Sequence, residues 1–186
     1  MSRRSRRSVP PVAVLTVCTG NICRSPLAEQ MLRMRLRDDP RFEIGSAGLH
    51  AVVGAPMDPD AATQLRAHGG DPAGLIGEQL ADEHADAADL ILTMTRGQRD
   101  EVVRRHPRAA RRTFTLAEFA ALAGSGDIDR AADPRAVIDQ AGRSRSTVRL
   151  TEDQDVPDPI DATAEVHAVV ASQIVGLVDT IVRTLR

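Results

Sequence analysis

The 186-residue chain predicts an α/β fold, a three-layer sandwich in which a four-stranded parallel sheet is flanked by helices. Three observations carry that prediction. Four short apolar runs are separated by stretches whose apolar residues recur at helical spacing, and strands that alternate with helices pair in parallel through crossover connections. The first run, VAVLTV at 12–17, is apolar and β-branched with no polar alternation, as in a strand covered on both faces. Val166, Val169, Val170, Ile174, Leu177, Val178, Ile181, Val182 and Leu185 close the chain on a helical stripe that calls for a sheet to pack against.

Taken in order, residues 1–10 (MSRRSRRSVP) form a basic tail expected to be disordered, and 11–186 a single domain with a polar loop insertion at about 124–155. After strand one, Leu27, Ala28, Met31, Leu32 and Met34 line one side of a helix and Arg33, Arg35 and Arg37 the other. Ser25 suits the cap of that helix and Pro26 its first turn. Residues 41–48 read as the second strand, a Gly/Pro-punctuated loop follows, and a helix spans about 59–68. The third strand is 88–94, a helix ends near RRHP, and the fourth strand is 111–116. Within the polar insertion, DPRAVIDQ offers one helical turn, capped by Asp133 and begun by Pro134.

Composition narrows the function. Hydrophobic residues make up 42% of the chain and charged residues 27%, ordinary for a globular protein. No apolar run approaches the roughly 18 residues of a membrane span, and the basic start lacks a cleavage signature, so a cytoplasmic protein without a membrane partner is expected. A net charge of -2 leaves no footprint for nucleic acid. Two cysteines with no nearby histidine make neither a disulfide framework nor a zinc site, so no metal is expected. All 24 basic residues are arginine, which removes every lysine nucleophile.

The stretch VCTGNICRSPLAEQM, 17–31, leaves strand one and enters the first helix, the place where open parallel sheets bind ligands. A short loop at a helix N-terminus can turn successive N–H groups inward as a nest for an anion, and the same field favours the thiolate of Cys18. Arg24, a planar fork of donors, suits two oxygens of a tetrahedral dianion. Cys18, Thr19, Gly20, Asn21, Ile22, Cys23, Arg24 and Ser25 therefore read as one phosphate-binding loop that supplies nucleophile, oxyanion cradle and charge compensation. Gly20 is expected to permit its tight turn. A phosphate ester also needs its leaving oxygen protonated. DQDVPDPID offers Asp153, Asp155, Asp158 and Asp161 for that task, and spacing alone does not choose among them.

VLTVCTGNICRSPLAE with a distant DVPDP resembles the low-molecular-weight protein tyrosine phosphatase family, and the likeness extends through GSAG, DLILTM and the C-terminal helix. The resemblance implies a metal-independent and cofactor-free phosphomonoesterase of phosphorylated proteins, with Cys18 and Arg24 joined by Asp158 as general acid. It implies further that Asn21 and Ser46 hold the loop's strained shape by hydrogen bonds and that the Ser25 hydroxyl stabilises the Cys18 thiolate. The sequence departs from the pattern in two places. Relatives commonly carry an aromatic residue after the Asp-Pro pair, where this chain has Ile160 and no Tyr or Trp anywhere, and a His common in a GHxARQ-like stretch is Leu75 here.

Three alternatives share the loop. Thioredoxin-linked arsenate reductases of a sister family need two further cysteines, which are absent here, so arsenate reduction would have to draw on an external small thiol. Protein-arginine phosphatases carry a small Thr-like residue where this chain has Ile22, and the bulkier apolar side chain favours an aryl phosphate. A non-enzymatic phosphate-binding module would not need Cys18. The second thiol, Cys23, is expected either to fill an apolar space under the loop or to close a disulfide with an oxidised Cys18, as a redox partner.

Overall fold

The computed structural model describes residues 9–37, 39–125, 128–129, 133–147, 149 and 154–186. Strand β1 (Val12–Cys18) buries six of its seven residues, which places it inside the sheet between β2 (Phe42–Gly48) and β3 (Leu90–Thr93). With β4 (Thr113–Thr115) at the edge, the order is β2-β1-β3-β4 and every pairing is parallel. The fold class read from the sequence stands.

Alternation along the strands splits the core into two layers. Val12 and Val14 join Leu90, Leu92 and Phe114 against α1 (Arg24–Leu36), α2 (Pro59–Ala67) and α7 (Ala164–Leu185). Leu15, Val17 and Ile91 face the other way, onto Ala85 of α3 (Asp82–Ala87) and Val102 of α4 (Arg96–Arg105). The carboxyl ends of β1, β2 and β3 are left to meet the loop after Cys18 and the segment around Val156, whose N–H donates to the Met94 oxygen at 2.9 Å.

Several elements differ from the sequence reading. The supposed loop insertion contains α6 (Pro134–Arg143), a ten-residue helix rather than one turn, capped by Asp133 Oδ1, which accepts from Arg135 N at 2.9 Å. Its Val137, Ile138 and Ala141 are buried; their three- and four-residue spacing is a helical face hidden among Arg, Asp and Gly. Helix α5 (Leu116–Gly124) is a further element beyond the sequence reading, and a capping box begins it: Glu118 N donates to Thr115 Oγ1 at 2.9 Å and Thr115 N to Glu118 Oε2 at 3.2 Å. Cys23, not Ser25, is the N-cap of α1, which releases the Ser25 hydroxyl for another use. By length and composition α7 is apolar enough to cross a membrane, contrary to the expectation that no such stretch exists. Val170, Ile174, Val178 and Ile181 bury its inner face, whereas Val166 and Val169 lie exposed outside the stripe. The tail at 1–8 and several residues of the 124–155 stretch lie outside the described residues.

If α6 is part of the core, Ile138→Ala should cost about 2 to 5 kcal/mol, the range for emptying a buried aliphatic site. Val169→Ala, on the exposed side of α7, should stay within about 0.5 kcal/mol. Urea midpoints of the two variants check the contrast; equal midpoints would return α6 to the status of a solvated loop.

Candidate active site

The loop between β1 and α1 turns its carbonyls outward. The oxygens of Cys18, Thr19 and Gly20 accept from the N–H groups of Leu49, His50 and Val52 at 3.0, 2.9 and 2.9 Å, and the Ile22 oxygen accepts from Asp58 at 2.7 Å. Segment 49–58 thus clamps the loop from outside. Among the described residues, the N–H groups of 20–25 meet no acceptor in the protein, which leaves them, with the positive end of the α1 dipole, available to an anion.

Asn21 makes the turn. Its φ of 54° is left-handed, a conformation that Asn tolerates better than most residues. Glu78 N donates to its Oδ1 at 2.8 Å, so Nδ2 faces the two serines and donates to Ser25 Oγ and Ser46 Oγ, each at 2.9 Å. Ser25 Oγ in turn lies 2.9 Å from Cys18 Sγ. Gly20, expected to permit the turn, has no left-handed φ, and a Cβ there would touch Ile22 and Val52 at ordinary contact distances. The conformational demand falls one residue later.

Cys18 and Cys23 are both buried and both free thiols. Burial, with lesser contributions from Cys18 and Asp58, pushes the Cys23 thiol up to about 12. Arg24 is 3% exposed: Nη1 donates to the Val156 oxygen at 3.1 Å, Nη2 donates to the Asp158 carboxylate, and the buried Nε finds no acceptor in the protein. A buried guanidinium N–H without a partner fits a site that takes an oxyanion.

Of the candidate acids among the described residues, Asp158 is the one brought to Arg24, with 47% of its side chain exposed. Asp155 is committed elsewhere, accepting from Arg96 N at 3.1 Å through Oδ1. Asp161 is exposed in a left-handed backbone position (φ 61°), and Asp153 falls outside the described residues. The exposed apolar side chains of the segments next to the loop are aliphatic, among them Val52 and Ile160, while Phe114 and Phe119 are fully buried in the core.

Two supports escaped the sequence reading. Gln98 donates from Nε2 to Thr19 Oγ1 at 3.0 Å, while its Oε1 accepts from Met94 N and Thr95 N at 3.0 and 3.1 Å. The Thr-x-x-Gln pattern that starts α4 was visible, but not its target 79 residues away. Glu29, 6% exposed, accepts from Ser46 Oγ at 2.5 Å and pairs with Arg33 at 2.7 Å. Nothing local distinguishes it from an ordinary helix-surface glutamate. Among the described residues, Asp58, Asp60 and His167 bring ligand-type atoms within 4.8 Å of one another. Asp58 Oδ1 there is engaged in capping α2, accepting from Asp60 N and Ala61 N at 3.0 Å each.

Residues 13–186 match the family described as Low molecular weight phosphotyrosine protein phosphatase. A probable low molecular weight protein-tyrosine-phosphatase, EpsP, of Ralstonia nicotianae is 41% identical over 106 residues, 57% of this chain and 71% of that protein. A protein-arginine-phosphatase of Geobacillus stearothermophilus is 41% identical over 125 residues, covering 67% of this chain and 79% of its own. Among solved structures, the YwlE arginine phosphatase of the same organism aligns with a TM-score of 0.72 at 31% identity, covering 94% of this chain and 93% of that one. A low molecular weight protein tyrosine phosphatase from T. tengcongensis aligns with a TM-score of 0.71 at 28% identity, covering 91% and 97%.

If Asn21 sets the loop by both conformation and hydrogen bonding, Asn21→Ala should be less stable than Asn21→Gly by about 1 kcal/mol. Both variants lose the side-chain bonds, but only glycine accepts the left-handed φ without strain. Thermal melts of the pair supply the measurement, and equal stability would remove the strain argument.

Proposed function

The chain belongs to the low molecular weight phosphotyrosine protein phosphatase family, and from that premise we propose that it hydrolyses phosphomonoesters on protein substrates through a phosphocysteine at Cys18. The observation that carries the reading is the convergence of Cys18, the unengaged N–H groups of 20–25 and the buried, partly unsatisfied Arg24 on one spot at the mouth of the sheet.

In the first half-reaction the Cys18 sulfur attacks phosphorus in line; an S–P bond forms as the bond to the leaving oxygen breaks. The N–H groups and Arg24 take the three equatorial oxygens, which carry the charge of the transition state. Asp158, in its acid form, gives its proton to the leaving oxygen. Water then attacks phosphorus, Asp158 takes a proton back, the S–P bond breaks and inorganic phosphate leaves. The Arg24–Asp158 contact bears on the order of events. Phosphate and the Asp158 carboxylate compete for the same Nη2, so a bound phosphoryl group displaces Asp158 from the guanidinium and leaves it beside the leaving oxygen.

The substrate read as most compatible is phosphotyrosine. Ile22, half-buried beside Gly20 and Gly77, puts an apolar side chain against the phosphate loop, where Val52 is a second apolar neighbour for an aryl group. Ring stacking from the Asp-Pro segment is lost with Ile160 in place of an aromatic. Phosphoarginine is the second reading, supported by the likeness to the Geobacillus stearothermophilus arginine phosphatase. Turnover of a phosphotyrosine peptide, a phosphoarginine peptide and arsenate under one set of conditions ranks the readings. A preference for phosphoarginine would overturn the argument from Ile22.

Cys18→Ser should abolish turnover yet keep vanadate binding, because the N–H cradle and Arg24 survive; appreciable residual turnover would sink the mechanism. Asp158→Ala should lower kcat by about 10² to 10⁴ for a poor leaving group and by less for 4-nitrophenolate, which departs unaided. Asp161→Ala should be mild, and Asp155→Ala should act mainly on stability through its bond to Arg96; a matching loss of kcat in either would reassign the acid.

Cys23 is proposed as the redox partner of Cys18. Peroxide oxidises Cys18 to a sulfenic acid, and attack by the Cys23 sulfur expels water and leaves a disulfide that dithiothreitol reduces. Wild type should regain activity after peroxide and dithiothreitol while Cys23→Ser should not; equal recovery leaves Cys23 as packing.

A further inference from the structure

The hydrogen bonds behind the loop have a polarity, and it can be followed atom by atom. The Asn21 amide is oriented by Glu78 N, which donates to Oδ1 at 2.8 Å, so Nδ2 spends its two hydrogens on Ser25 Oγ and Ser46 Oγ. An amide nitrogen cannot accept in return, so each serine must direct its own hydrogen elsewhere. For Ser25 the outlet is Cys18 Sγ at 2.9 Å; for Ser46 it is Glu29 Oε2 at 2.5 Å. The other oxygen of Glu29 faces a second donor, Arg33 Nη2, at 2.7 Å. With a donor on each oxygen, the ionised carboxylate is the form that both contacts favour. Arg33 is itself pinned, its Nε and Nη2 donating to the Ile44 oxygen at 3.1 and 2.7 Å, two residues before Ser46 on β2.

We propose that Glu29, paired with Arg33, is a positioning residue for Cys18: its carboxylate anchors the Ser46 hydroxyl, Ser46 tethers Asn21, and Asn21 holds Ser25 so that its hydrogen is donated to the sulfur. The inference rests on the reading of Cys18 as nucleophile. It gives the loop a control point away from the substrate, since Glu29, Arg33 and Ser46 line a cavity of about 320 Å³ together with Leu75, Glu78 and His84. The charged and titratable groups facing Glu29 there are Arg33, Glu78 and His84. Burial raises the carboxyl of Glu29 above its ordinary range, the Ser46 bond and Arg33 oppose that rise, and Glu78 adds to it. On acidification Glu29 therefore takes its proton before an exposed glutamate would, and from that pH downward the Ser46 bond loses its charge assistance and weakens. Without Arg33 that weakening moves closer to neutrality.

The test is the rate at which iodoacetamide alkylates Cys18, identified by mass spectrometry, in wild type, Glu29→Gln, Arg33→Met and Arg33→Lys at pH 5.5 and pH 8. Site-resolved mass spectrometry keeps alkylation of Cys23, whose thiol burial pushes up to about 12, apart from that of Cys18. Glu29→Gln should slow the reaction about tenfold at both pH values, on the scale of one hydrogen bond to a charged group. Arg33→Met should slow it more at pH 5.5 than at pH 8, Arg33→Lys should restore most of the rate, and kcat/KM for 4-nitrophenyl phosphate should move in step. A purely structural role would make the Arg33→Met deficit equal at the two pH values, and that result, or rates within twofold of wild type in variants that melt cooperatively, overturns the proposal. Should Glu29→Gln fail to fold, the two-pH ratio of Arg33→Met, half-exposed and tolerant of change, decides alone. A wild-type Cys18 no more reactive than free cysteine overturns the nucleophile reading itself and this inference with it.

Discussion

The left-handed turn at Asn21 is the constraint from which the rest of the site follows. A loop that offers its N–H groups to an anion must face its carbonyls away, and such a loop has no ladder of its own to hold it. Here the carbonyls are met by segment 49–58, and the turn is held by a side chain that is bonded at both ends, to Glu78 N on one side and to Ser25 and Ser46 on the other. Remove those tethers and the N–H groups have no reason to stay turned toward one point. The neighbouring glycines serve the approach of the clamps rather than the turn. At Gly48 a Cβ would come within 2.7 Å of the Thr19 oxygen, and at Gly77 within 2.3 Å of the Val52 oxygen.

A second consequence is electrostatic. Arg24 is almost fully buried and, among the described residues, its charge is met by one carboxylate, that of Asp158, which is half open to water. Taking a guanidinium out of water is costly unless its donors are used, and here Nε is not. The proposed chemistry turns that imbalance to use, since a phosphoryl dianion supplies both the charge and the missing acceptor. On the opposite side of the network, Glu29 and Arg33 form a half-buried pair whose charge reaches Asn21 through a single hydroxyl. Two ion pairs therefore bracket the loop, one at its mouth and one behind it.

Much of this was legible in the sequence where the signal is local. Residues 12–17 show a buried strand by composition, and the residues after Arg24 a helix by their period. The spacing of Cys18 and Arg24 about a tight loop announces an anion site wherever it stands between such elements. Reading failed where the pattern was diluted or the partner distant. The face Val137, Ile138 and Ala141 is masked in sequence by the polar residues around it, and residue type points to Gly20 for the turn although Asn21 is the residue with a positive φ. Gln98 carries a familiar cap pattern, yet its second hydrogen bond crosses to Thr19.

By itself the sequence determined the alternation of strands and helices, and with it a parallel sheet, and it placed the thiol and the guanidinium on one turn. Those features depend on residues within a few positions of one another. Only the tertiary structure decided that Asp158 rather than Asp155 reaches Arg24 across 134 residues, that Ser46 on β2 stands between Asn21 and Glu29, and that α6 belongs to the core. The reason is physical: contacts between segments are selected by the packing of the whole sheet and its helices, where burial and the pairing of every buried polar group must be satisfied together, and no local window of the chain contains that balance.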